Sequence, residues 1–312
     1  MSTLIDKIVD TVYQTIYSSK KSFKPKVLSV KTNNLYQNLT QQVNQADSSS
    51  MWLKRSAYIT SALLVVCAVA YSFDTRTVNG INVWIKPNKF NTSLLMQLLT
   101  VLWLWQLVEP AKRALRFAVR LMATLAINGL IEIFYIAFQS ARGRASHFNS
   151  QTAWEAFMYS GVMGTAAVVL VVTTSIAGFW IWKHASAEAR KHQGFYWGAV
   201  LGLFLGGVAT LVTASILASG QIAGPGHWVG GARSDIGGLP ILGWSTTGGD
   251  LRVPHFFATH LMQALPLAGL FVDKLFPSQA KLFVWLASAA GLAVVVLTFL
   301  QAVSGQPFYK VT

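Results

Sequence analysis

Five polar residues interrupt one apolar stretch at intervals of four, three, four and three: Asn128, Glu132, Tyr135, Gln139 and Arg142. On a helix those intervals put all five on one stripe. A carboxyl such as Glu132 set in apolar surroundings suits proton exchange with a substrate, while the same stripe equally suits interhelical hydrogen bonds that only fix packing. A second group follows the run Gly-Asp-Leu-Arg-Val-Pro-His-Phe at 249–256, where Asp250, Arg252 and His255 precede His260 and Gln263. A third is Ala-Arg-Gly-Arg-Ala-Ser-His-Phe-Asn at 141–149, with Arg142, Arg144, His147 and Asn149. Glu132 and His260 are the acid–base, hence catalytic, candidates. Asn128, Tyr135, Gln139, Arg142, Arg144, Asn149, Arg252 and Gln263 are ligand-binding candidates. His147, Asp250, His255 and His260 are candidate metal ligands, because a mixed histidine and carboxylate set suits a divalent transition metal.

Other chemistries fit less well. His255 and His260 are five residues apart and diverge by about 140° on a rigid helix, a poor pair for one metal unless Pro266 kinks the chain. Haem is disfavoured because His260 is the one histidine clearly within an apolar block. Retinal is disfavoured because the last block has no central lysine. The sequence contains no phosphate loop, HExxH helix, GxSxG elbow or CxxC pair. The lone Cys67 reads as a small buried hydrophobe and says nothing of redox compartment.

The elements that must carry these residues are membrane helices. Of 312 residues 53% are hydrophobic and 12% charged, against about 25% charged in soluble domains. Apolar blocks run over 54–73, 92–110, 114–139, 153–182, 195–219, 254–275 and 280–303, each long enough for a span of about 20 residues. The fold class is all-α, a polytopic membrane bundle of about seven helices. Lys54 and Arg55, then Lys112, Arg113, Arg116 and Arg120, then Lys183, Arg190 and Lys191, then Lys274 and Lys281 alternate on one side. The positive-inside rule makes that side cytoplasmic, with the N-terminus inside and the C-terminus extracytoplasmic. The three polar groups then share the extracytoplasmic end. So do Lys86 and Lys89 of Trp84-Ile-Lys-Pro-Asn-Lys-Phe, which suit a lipid phosphate or a carboxylate.

Residues 1–50 form a cytoplasmic region, 51–306 the transmembrane domain and 307–312 a short extracytoplasmic tail. Within the first, Leu4, Ile5, Ile8, Val9, Val12, Tyr13, Ile16 and Tyr17 repeat at helical spacing, so an amphipathic helix is expected on the membrane surface or on a partner. Lys20, Lys21, Lys24 and Lys26 favour anionic lipid, and 32–50 reads as a polar linker. Gly198, Gly202 and Gly206 line one helix face and permit close approach of a second helix, within the chain or from a partner. The net charge of +14 sits beside apolar blocks rather than along a basic groove, which excludes a nucleic-acid partner and leaves membrane lipids.

Lys-Pro-Asn-Lys-Phe (86–90), Ala-Arg-Gly-Arg-Ala-Ser-His-Phe-Asn (141–149) and Gly-Asp-Leu-Arg-Val-Pro-His-Phe (249–256) resemble motifs of bacterial multi-pass membrane proteins without an assigned activity. The resemblance covers roughly 80–306 and implies a bacterial cytoplasmic membrane, nothing about chemistry. Three functions stay open: a membrane-embedded enzyme or metal-binding protein acting on a small or lipid-like substrate; a transporter or sensor of a small molecule or protons; and a partner subunit or assembly factor.

Overall fold

The computed structural model describes residues 32–222 and 224–310, with side chains from residue 48. The expected amphipathic helix at Leu4–Tyr17 lies outside the described residues. The helices, numbered here in chain order, are α1 (Thr32–Phe73), α2 (Ile85–Trp105), α3 (Pro110–Arg113), α4 (Arg116–Ala141), α5 (Ala153–Phe157), α6 (Gly164–His184), α7 (Gln193–Ser219), α8 (Arg252–Leu275) and α9 (Ala280–Val303). A π-helical turn at Met158–Met163 joins α5 to α6. Among the described residues the chain is all-α but for two small ribbons. Among the described residues six helices are long and apolar enough to cross a membrane: Ser48–Phe73, Arg116–Ala141, Ala153–His184, Gln193–Ser219, Arg252–Leu275 and Ala280–Val303. Their outer faces are apolar as well, with Val65, Phe271 and Leu297 more than half exposed, which is unfavourable in water and neutral in lipid.

The expected linker at 32–50 is helical instead and runs straight into the first apolar block. Its Asn and Ser are weak helix formers, but Gln is a good one and no Gly or Pro between Thr32 and Phe73 stops the helix. The second block differs in another way: α2 starts earlier than its apolar run, at Ile85. Its polar first turns are packed into the bundle rather than left as loop; Asn91 is fully buried and donates to Pro87 O at 2.9 Å.

One end of the bundle gathers the turns 106–115, 185–192 and 276–279. Val108 bridges to Ala185, Glu109 N donates to His184 O at 3.0 Å, and Ser186 N donates to Leu107 O at 2.9 Å. Asp273, near the end of α8, accepts from Gly194 N and Phe195 N at 2.7 Å each and so caps α7. The other end gathers the loops 74–84, 142–152 and 220–251 with the tail after α9. In the first loop β1 (Thr77–Val78) pairs antiparallel with β2 (Ile81–Asn82) around Asn79-Gly80, both at positive φ, as a two-residue hairpin requires. In the third, β3 (Trp228–Val229) pairs with β4 (Gly249–Asp250).

The glycine face of α7 is occupied within the chain. A Cβ at Gly198 would strike Leu265 O; one at Gly202 would lie 3.0 Å from Leu261 O, and one at Gly206 2.8 Å from Met262. Numbers rise on α7 as they fall on α8, so the two helices are antiparallel and touch backbone to backbone. No room is left on that face for a helix of a partner. Gly198→Ala is expected to cost about 1–3 kcal/mol by overpacking and to lower the unfolding midpoint in detergent. Gly164→Ala, where the nearest atom to a new Cβ is 3.6 Å away, should be neutral or stabilising; equal losses in the two variants would contradict this packing.

Candidate functional site

The loop end is held by two charge clusters. In the first, Asp250 is buried at 1% exposure where β4 meets α8. Its carboxylate accepts from Ser245 N at 2.9 Å, Arg252 N at 3.0 Å and Arg252 Nη2 at 2.7 Å. Arg252 also donates to Asp235 Oδ1 at 3.0 Å and Gly243 O at 2.6 Å, so one guanidinium ties both sides of the third loop to the start of α8. His227 Nδ1 stands 3.3 Å from Asp250 Oδ1 and its Nε2 3.7 Å from Asp235 Oδ1. Burial alone would raise the Asp250 carboxyl; its contacts with His227 and Arg252 overcome this and hold it well below the usual carboxylate range. Burial depresses His227 more than the two aspartates raise it, so it is neutral at pH 7.

In the second cluster Glu155, with no exposed surface, opens α5 beneath the second loop. Arg144 Nη1 donates to it at 2.7 Å and Arg142 Nη1 lies at 3.5 Å. Thr152 caps the same helix by accepting from Glu155 N at 3.2 Å. Arg142 also donates to Gln139 Oε1 at 2.7 Å, Gln139 Nε2 donates to Tyr135 OH at 3.0 Å, and Arg142 sits over the Phe138 and Trp154 rings. Asn149 is buried and folds back on its own loop, donating to Ala145 O at 2.9 Å.

Between the clusters lies a third set. Lys86, at the start of α2, is within electrostatic reach of Glu132 on α4, Asp235 of the third loop and Arg252. His147 is within reach of Lys86 and His255, and His255 of His260. Lys86, Glu132, His147 and His255 are deep among protein atoms, yet each keeps part of its surface accessible. These four side chains are the deepest ionisable groups of the loop end that still reach the surface. His147 packs between Phe90 at 5.4 Å and Tyr159 at 5.8 Å, with its Nδ1 3.1 Å from Ser146 Oγ. Burial first, then the charges of Lys86 and His255, hold it well below the usual imidazole value. His255 Nδ1 meets Thr213 Oγ1 at 3.3 Å; His260 packs on Phe256 at 4.1 Å, and its Nδ1 meets Gln263 Oε1 at 3.2 Å.

Gln263 Nε2 in turn donates to Gln97 Oε1 at 3.0 Å, and Gln97 Nε2 reaches Thr174 Oγ1 at 3.4 Å. Gln97 and Gln263 each stand 11 residues along their helices from Lys86 and Arg252, about 16 Å down at 1.5 Å per residue. Beneath this amide pair the core is apolar: Leu98, Leu102, Trp105, Met122, Leu125 and Phe195 pack together.

The expected sites are therefore divided. Glu132, His147, His255 and His260 are linked through Lys86 and one another by electrostatic reach, and Gln263 joins them through its contact with His260. Asn128 turns to its own helix, donating to Thr124 O at 2.8 Å. Tyr135, Gln139, Arg142 and Arg144 serve the Glu155 cluster, and Asp250 and Arg252 the third-loop cluster. The four-ligand metal set is not assembled, since Asp250 is spent on Arg252, and among the described residues no group of three or more His, Cys, Asp or Glu is placed to hold a metal ion. Gln97 was missed because a lone glutamine in an apolar block names no partner, and His227 and Asp235 because they stand in an irregular glycine-rich loop. No protein-family model, curated protein or solved structure matches the chain.

Asp250 makes stability pH-dependent in a definite direction. Its folded value lies below its ordinary 3.8, so its contribution is complete above that pH and drains away as pH falls through it. The wild-type unfolding midpoint should drop from about pH 5 to about pH 3. Asp250→Asn should lose about 3–5 kcal/mol at neutral pH, by leaving Arg252 poorly paired, and show a flatter acid limb. An unchanged acid limb would assign that limb to other carboxyls.

Proposed function

We propose that the chain is a seven-span protein of a bacterial cytoplasmic membrane, N-terminus inside, whose extracytoplasmic end holds a membrane-embedded site for a small or lipid-like substrate. In this reading α2 is the seventh span. Its 21 residues reach about 31 Å, and its neighbours shield its polar half from lipid, which explains a hydropathy below that of the other six. A recess among these loop-end groups is the site: Glu132 and His260 exchange protons with the substrate, His147 and His255 line the wall as neutral donors or acceptors, and Gln97 and Gln263 form the floor.

The observation that carries the reading is the set of deep yet accessible ionisable groups above an apolar seal. Groups costly to desolvate are kept together here without an ion pair among them. The seal favours a one-sided site over a through-path. Transport is the second reading, favoured by the π-helical turn at Met158–Met163 and by Pro266, two irregularities in spans that flank the recess.

Thiol labelling tests both. His147→Cys should react with a membrane-impermeant maleimide added from the extracytoplasmic side, and Leu98→Cys from neither side; native Cys67 is fully buried and should give little background. An inert His147→Cys that reacts only after unfolding would remove the recess. Labelling of Leu98→Cys from the cytoplasmic side would select transport.

A further inference from the structure

Lys86 stands out in this set because, among the described residues, no hydrogen bond or ion pair holds its amino group, although Asp235 and Glu132 lie within electrostatic reach. Lys89, one turn along α2, donates to Leu242 O at 3.2 Å. Arg252 has two carboxylates and a carbonyl. Arg142 and Arg144 share Glu155. Among the described residues Lys86 Nζ has no hydrogen bond and no carboxylate within 4.0 Å; its close partner is the Phe90 ring, 5.7 Å away. Glu132 likewise makes no ion pair, although it faces Lys86. A deep amino group without an ion-pair partner is costly to ionise, and an entering anion offsets that cost.

The surroundings narrow the anion. Glu132 and Asp235, both within reach of Lys86, would repel a dianion, so the surroundings suit a single negative charge. Aromatic rings of Phe90, Tyr159 and Phe256 stand around His147 and His260, and the floor gives way to the Leu98 and Leu102 core. We infer that the recess binds an amphiphilic carboxylic acid, its carboxylate on Lys86 and its apolar body among these rings. The inference rests on the recess proposed above and adds the substrate class.

The test is binding of octanoate, octanol, acetate and inorganic phosphate to the detergent-purified full chain, followed by isothermal titration. Octanoate should bind more tightly than any of the other three. Lys86→Gln should weaken octanoate by about 30-fold or more, as expected for truncating one side of a desolvated charge pair, and leave octanol unchanged; Lys86→Arg should keep most of the octanoate affinity. Equal binding of octanoate and octanol by the wild type overturns the inference without any variant. So does octanoate affinity indifferent to Lys86→Gln, or acetate or phosphate matching octanoate, which would make the ligand a small anion. If octanoate fails while His147→Cys is labelled, the recess stands and only the carboxylic acid falls.

Discussion

The packing of α7 on α8 is the contact on which the site depends. Hydrocarbon supplies no hydrophobic drive between helices, so association rests on close van der Waals contact. Here four glycines in register, Gly194, Gly198, Gly202 and Gly206, let the α8 backbone approach along most of its length. At the far end Asp273 returns two hydrogen bonds to the first turn of α7. The pair therefore fixes the height and rotation of α8, and α8 carries Arg252, His255, His260 and Gln263. A rotation of a fraction of a turn would take His260 and Gln263 away from Gln97 and expose them to lipid.

Charge at the loop end obeys a simple economy. Four arginines there are matched to carboxylates: Arg76 to Asp74 at 2.6 Å, Arg142 and Arg144 to Glu155, Arg252 to Asp250. These pairs fold the loops, and their members are not free for ligands. What is left over, Lys86, Glu132 and three histidines, lies inward of the pairs. In the proposed reading stability and binding thereby fall to different residues at the same end of the molecule, although both sets are polar.

Hydropathy made the spans legible, because lipid demands it, and the block limits from 114 onward agree with the helices to within a few residues. The two ends of the bundle were legible too, from Lys and Arg alternation. The division of the site was not. The stripe from Asn128 to Arg142 does share a face, but spacing states only direction, and the partner changes along it from Thr124 to Lys86 to Glu155. Asp250 looked like a metal ligand because nothing in its type shows that Arg252, two residues on, folds back to claim it. The Val78-Asn79-Gly80-Ile81 hairpin carried a local signal that went unused. Gln97 and Gln263 meet across 166 residues of chain, which no local pattern encodes.

Glu155 shared between two arginines has a consequence for how the protein sits. One carboxylate against two guanidinium groups leaves a net positive charge, and Arg142 and Arg144 remain 34% and 41% exposed beside the lipid-facing rings of Phe138 and Trp154. A charge of that kind belongs at the headgroup level with aromatic neighbours. It acts as a waterline mark on the fourth and fifth helices. Glu132, ten residues below Arg142, is then held about 15 Å beneath that line whatever the thickness of the surrounding bilayer. A thinner membrane would be accommodated at the opposite end, by tilt or by thickening of the lipid, and the vestibule would keep its depth.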